Sequence, residues 1–335
     1  MTQSDPPAAP LAIAMGDPAG VGPEIVAKSW AVRGLRSLPP FALVGDPAAV
    51  AQVWSGPVET IGAIDEAASV FDRALPVLPV AEAGPITPGV PSIAGARAAF
   101  EALERSIALV RSNAARALVT APVSKAQLYG IGFNHPGQTE FVAERCGVAG
   151  DDAVMMLAGP SLRVVPITVH VPLAQVTSLL SVDLIVAKGR AAAAGLTRDF
   201  GITGPRLAFA GINPHAGEGG AIGREEIDIL VPAIARLRAE GIDATGPFAA
   251  DTLFHARARS SYDVVLCCYH DQALVPIKTL HFDEGVNVTL GLPIIRTSPD
   301  HGTAFGIAGQ NQAHPGAMIA AIAMAGQAAD RRAAA

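Results

Sequence analysis

Short apolar runs recur along the chain, at Leu11–Met15, Phe41–Val44, Ala117–Thr120, Ala153–Leu157, Leu162–Val169, Leu207–Ala210 and Val264–Cys268, with helix-patterned stretches between them. That alternation predicts βαβ units and an α/β fold built on a mostly parallel sheet. From Ser92 to Val110, apolar residues at Ile93, Ala96, Phe100, Leu103, Ile107 and Val110 follow the helical period, and Ser92 is placed to cap the helix. Glu225–Arg238 repeats the pattern with Ile227, Leu230, Val231, Ile234 and Leu237, after a glycine-rich loop. The late stretch Gly316–Gly326 is apolar but too short to cross a bilayer, and reads as a buried or subunit-facing helix. No repeat or low-complexity linker divides the chain, so a second lobe has to be woven into the first. The Gly130–Gly137 segment is the expected hinge. The expected division is 1–130 with 290–335 as one lobe, carrying both termini, and 131–289 as the other.

Composition narrows what such a fold serves. Half of the 335 residues are apolar, enough for a large core, and the formal charge is −6 with lysines and arginines scattered. Nothing offers a basic face to nucleic acid or to an anionic membrane. The start, Met1–Pro10, lacks a basic segment followed by an apolar core and reads as a disordered lead-in rather than an export signal. Cys146, Cys267 and Cys268 make neither a metal-type spacing nor a disulfide framework, which suits a reducing cytoplasm.

The chemistry concentrates at strand ends. Arg163-Val-Val-Pro-Ile-Thr-Val-His170, Arg206-Leu-Ala-Phe-Ala-Gly-Ile-Asn-Pro-His215 and Asp263-Val-Val-Leu-Cys-Cys-Tyr-His270 each finish an apolar run with a histidine. In a parallel sheet, side chains beyond the carboxyl ends of several strands converge on one crevice. Neutral imidazole is a common ligand for divalent metals, so the three histidines form a candidate metal set against the alternative of unrelated loop histidines. Asp251 and Asp271 stand where they complete or support such a shell, or cap helices. Lys278, Asn287 and Arg296 punctuate apolar segments, and the two cations call for anionic partners, either a phosphorylated acid or the internal carboxylates Asp283, Glu284 and Asp300. Gln138 and Thr139 open a helix whose free N–H groups suit an anion. No strand leads into Gly-x-Gly-x-x-Gly. Gly16-Asp-Pro-Ala-Gly20 is only superficially similar, because Pro18 and Pro23 reshape the turn.

Taken in order, Met15-Gly-Asp-Pro-Ala-Gly-Val-Gly-Pro-Glu24, Thr120-Ala-Pro-Val-Ser-Lys125, Gly137-Gln-Thr-Glu-Phe141, Gly211-Ile-Asn-Pro-His-Ala-Gly-Glu218, Tyr269-His-Asp-Gln272 and Asn287 to Gly302 resemble the 4-hydroxythreonine-4-phosphate dehydrogenase family of vitamin B6 synthesis. The resemblance spans nearly the whole chain. It implies an isocitrate/isopropylmalate dehydrogenase-like fold of two lobes with a cleft between them, and a homodimer with active sites near the subunit interface. It places the family's metal-binding histidines on His170, His215 and His270, and its substrate contacts on Thr139, Lys278, Asn287 and Arg296. Pro299–Gly309, with Asp300, His301, Gly302, Thr303 and Ala304, resembles an adenosine-binding loop and implies NAD or NADP. One position departs: the family usually has histidine where this chain has Gln138, which is neutral but still donates a hydrogen bond.

These implications define an expected oxidoreductase. A divalent ion (zinc, magnesium, manganese or cobalt) lowers the pKa of a secondary hydroxyl while hydride passes to the nicotinamide. The resulting β-keto acid loses carbon dioxide, giving 3-amino-2-oxopropyl phosphate from 4-phosphooxy-L-threonine. Lys125, Asp251 and a metal-bound water stay open as acceptors of the hydroxyl proton. The main alternative, raised by Gln138, is a related dehydrogenase acting on a threonate or erythronate phosphate or on an aromatic dihydrodiol. A phosphate-handling transferase or metal hydrolase and a non-catalytic binding protein stand further off.

Overall fold

The computed structural model describes residues 8–80, 83–149 and 152–335. Most of the expected lead-in, residues 1–7, lies outside them. The described residues form two compact units, one running up to Gly147 and joined by Pro293–Asp330, the other Val148–Leu292 with Arg331–Ala335.

The first unit holds strands β1 (Leu11–Ala14), β2 (Phe41–Gly45), β3 (Val58–Thr60), β4 (Leu75–Pro79) and β5 (Leu118–Thr120). The second holds β6 (Val154–Gly159), β7 (Leu162–Pro166), β8 (Arg206–Ala210), β9 (Asp243–Phe248), β10 (Val264–Cys267) and β11 (Val286–Leu290). The chain then returns to the first unit for β12 (Arg296–Pro299).

In the first unit the order is β3-β4-β2-β1-β5-β12, and every pairing is parallel. The apolar runs predict this well, because a parallel strand covered on both faces carries no polar alternation. Leu11–Ala14 and Phe41–Val44 are buried throughout. The helix Ile93–Arg111 begins where the pattern places it, with the Ser92 hydroxyl accepting from Gly95 N at 3.0 Å.

The second unit runs β11-β6-β7-β10-β8-β9. β7, β10, β8 and β9 are parallel neighbours, whereas β6 pairs antiparallel with both β7 and β11. The antiparallel hairpin follows from length, since Pro160–Ser161 between β6 and β7 leaves no room for the crossover that parallel pairing requires. The expected helix over Glu225–Arg238 is interrupted: one π turn, Glu226–Leu230, leads into the α-helix Val231–Ala239. Pro232 has no N–H to continue an α ladder, and the wider turn absorbs the missing bond.

The boundary between units falls after Gly147, not in the Gly130–Gly137 loop. The helix Gln138–Arg145 stays with the first unit because Phe141 packs on Phe100 and Phe133, with ring centroids 5.3 Å away in each case. The last residues depart from expectation too, as Arg331–Ala335 group with the second unit, where Arg332 Nε donates to Asp199 at 2.7 Å. Among the described residues no helix is long and apolar enough to cross a membrane.

Candidate active site

In the first unit, parallel pairing sets Arg296 at the head of β12 opposite Leu118, two residues before the end of β5. The guanidinium therefore reaches Thr120, whose hydroxyl accepts from it at 2.8 Å, and Thr139 in the first turn of the Gln138–Arg145 helix, at 3.1 Å. Arg296 is only 3% exposed. Burial pushes its pKa down to about 10, with the carboxylate of Glu140 pulling the other way, so the side chain is cationic at neutral pH at an energetic cost. Gln138 joins this group, donating from Nε2 to the Ala121 carbonyl at 3.4 Å. The Lys125 ammonium lies against Gly137: a Cβ built there would sit 3.7 Å from Nζ. Thr120 was not expected at the site, and its place in the Thr120–Lys125 motif is the signal that would have found it.

The expected nucleotide loop lies in the same unit, directly after β12. The Thr303 carbonyl accepts from Val21 N at 3.0 Å, which ties Asp300–Ala304 to the strand-to-helix turn at Gly16–Gly20. Ala304 holds a left-handed conformation, and the His301 ring contacts the Gly302 carbonyl at 3.0 Å. Asp17, in the same turn, is 1% exposed and accepts from Ala19 N at 3.0 Å; burial raises its carboxyl pKa.

In the second unit the register of β7 on β10 continues past the strands, with Ile167 N donating to the Cys267 carbonyl at 2.8 Å and the Thr168 hydroxyl to the Cys268 carbonyl at 2.8 Å. This carries His170 beside His270, with ring centroids 5.7 Å apart and planes tilted by 45°. His270 opens the helix His270–His281 and donates Nδ1–H to Asp271 at 2.7 Å, which leaves Nε2 as the ring nitrogen that accepts. A pocket of about 270 Å³ is lined by His170, His270, Asp271 and Tyr269 together with Leu173 and Val176. A second, of about 460 Å³, shares His270 and Asp271 and runs along the helix to Lys278.

His215 is not among the residues that line either pocket. The chain from His215 to Gly220 takes positive φ at six consecutive residues, a left-handed turn, and His215 donates Nδ1–H to Glu218 at 3.2 Å. Asp251 lies in a short turn, Ala250–Thr252, that packs beside it. Asn287, on β11, has a buried Oδ1 with no hydrogen-bond partner among the described residues. Among those residues no group of three or more His, Cys, Asp or Glu side chains gathers to hold a metal. One chain thus brings together two of the three expected ligands, and their donor chemistry fits a divalent ion; His215 is not among them.

Comparison with known proteins decides the family. The model of the pyridoxal phosphate biosynthetic protein PdxA matches residues 38–325. The chain belongs to the PdxA family. A Zymomonas mobilis member named 4-hydroxythreonine-4-phosphate dehydrogenase is 59% identical over 323 residues, covering 96% of each protein. The crystal structure of the Klebsiella pneumoniae 4-hydroxythreonine-4-phosphate dehydrogenase superposes with a TM-score of 0.86 at 36% identity, covering 97% of this chain and 99% of that one. A Burkholderia xenovorans terephthalate 1,2-cis-dihydrodiol dehydrogenase is also similar, at 30% identity and a TM-score of 0.65, covering 95% and 98%. The expected family and α/β architecture are both borne out.

Proposed function

We propose that this PdxA-family chain oxidises 4-phosphooxy-L-threonine with NAD or NADP and releases carbon dioxide, forming 3-amino-2-oxopropyl phosphate for pyridoxine 5′-phosphate synthesis. The observation that carries this reading is full-length similarity to 4-hydroxythreonine-4-phosphate dehydrogenases, joined to a buried cation, Arg296, held by two threonine hydroxyls. Arg296, Thr139 and Gln138 in the first unit bind anionic oxygens of the substrate, and Asp300–Ala304 border the nicotinamide dinucleotide. Lys278 and Asn287 are further proposed substrate contacts, carried by the second unit, the buried Asn287 Oδ1 being an acceptor in want of a donor such as an ammonium or hydroxyl.

His170, His215 and His270 are the proposed metal ligands. A divalent ion held there supplies Lewis acidity to the hydroxyl under oxidation and to the negative charge left as carbon dioxide departs. Asp271 fixes the His270 ring. Lys125 and Asp251 are the chain's candidates for holding the hydroxyl proton.

A homodimer belongs to the same proposal, with the metal shell completed by the second copy. Large apolar side chains stand exposed on and around the helices that border the histidine pockets, Leu173 (67%), Val275 (62%) and Phe282 (76%), as a subunit interface requires. Gln138, in place of the family's usual histidine, favours one second reading: a related dehydrogenase acting on a sugar-acid phosphate or a dihydrodiol. The higher similarity to the Klebsiella enzyme than to the dihydrodiol dehydrogenase weighs against it. Specificity constants for 4-phosphooxy-L-threonine, threonate phosphates and a dihydrodiol, measured on the native chain and on Gln138→His, decide the matter. The proposal expects the first substrate to lead by at least about tenfold, a transition-state preference of about 1.4 kcal/mol; another leader overturns it.

A further inference from the structure

The turns bearing His215 and His270 leave neighbouring parallel strands, β8 and β10, whose paired register ends at Phe209 and Leu266. Beyond that point one side chain continues the ladder. Gln272, 9% exposed, accepts from Cys268 N at 2.7 Å through Oε1 and donates from Nε2 to the Gly211 carbonyl at 2.8 Å. The first bond is an ordinary helix-start contact, a third-residue side chain reaching back to a backbone N–H, and a glutamate would make it equally well. The second is not explained by capping: it leaves the helix altogether and holds the loop leading to His215. Only an amide of this length provides both an acceptor and a donor.

The far side of that loop is held as well. The buried Glu226 carboxylate accepts from Asn213 N at 2.8 Å and from Asn213 Nδ2 at 2.9 Å. The left-handed turn wraps it so closely that a Cβ on Gly217 would sit 2.7 Å from Glu226 Oε2.

We propose that Gln272 is a positioning residue which couples the His215 turn to the His270 turn and so holds each imidazole in place at its strand end, with Glu226 bracing the His215 turn from the opposite side. The inference rests on the metal-binding reading of these histidines. Gln272→Glu isolates the bridge, since it keeps the cap and the shape and loses the Nε2 donor; Glu226→Gln tests the second brace. Four quantities are read: Co²⁺ affinity of metal-stripped protein, amide hydrogen exchange of the same protein before metal is added, its Tm, and kcat against KM with metal restored. The expected result for Gln272→Glu is Co²⁺ binding weaker by about 10- to 100-fold, faster exchange confined to residues 211–220 and 268–271, and a lower kcat at nearly unchanged KM. Wild-type exchange in those segments overturns the coupling. So does wild-type Co²⁺ affinity alongside a general fall in Tm, which marks Gln272 as merely structural. If the native protein itself binds no Co²⁺, the metal reading fails, and the exchange measurement still decides whether the coupling exists.

Discussion

Arg296 is the residue whose environment is most costly and most informative. Its lowered pKa means that the fold disfavours the cation; the penalty is fully present at neutral pH and disappears only as pH rises through about 10 towards the unfolded value. At neutral pH this amounts to about 3 kcal/mol, which binding of the proposed substrate anion would offset. Arg296→Met is therefore expected to leave the Tm of the ligand-free protein unchanged or raised while KM for the phosphorylated substrate rises by about 100-fold, the loss of about 3 kcal/mol typical of a buried charge pair. Arg296→Lys should not restore KM, because a point charge cannot serve both Thr120 and Thr139 and still bind an anion through a planar fork. Asp17 gives the opposite sign for an acid. Burial raises its folded-state pKa, so its favourable contribution is complete below the unfolded carboxyl value and is lost as pH rises through the folded one. Asp17→Asn keeps an acceptor for Ala19 N, and its gain in Tm over the native chain should be larger at pH about 8 than at pH about 4.

Among the elements, the left-handed turn at His215–Gly220 is the one most open to a single test. Gly217 has φ +79° and no room for a Cβ against Glu226, so Gly217→Ala is expected to cost about 1–3 kcal/mol in urea unfolding and to weaken metal binding. The glycine-rich sequence before Glu225 announced a loop, but not its handedness, which depends on Glu226 thirteen residues beyond Asn213. The long apolar strands and the helix capped by Ser92 were legible because burial on both faces, or on one helical stripe, writes a period into the sequence. β4, β9 and β12 were not, since each carries proline, and β3 is too short to have a period at all. Gln272 was hidden for another reason: its bond to Gly211 depends on which strands are neighbours, and strand order is not a local property.

For the whole molecule, the sequence marked strand ends more clearly than the boundary between the lobes. Arg296 and Thr139 come together as expected because β12 lies beside β5, and His170 meets His270 because β7 lies beside β10. His215 does not join them in one chain, and the proposed account completes the shell with a second copy. Phe282→Asp places a charge on the exposed apolar helix end and should shift sedimentation velocity towards the monomer, with Co²⁺ affinity falling in step. A monomer that binds Co²⁺ as tightly as the native protein would separate metal binding from assembly. The central claim is oxidation of a phosphorylated hydroxy-amino acid by a metal-loaded dehydrogenase. Its most direct test is the absorbance of reduced nicotinamide when metal-stripped protein receives 4-phosphooxy-L-threonine and NAD or NADP, before and after a divalent ion is restored. The account predicts reduced nicotinamide and carbon dioxide in equal amounts after restoration only; no nicotinamide reduction with the metal present would contradict it.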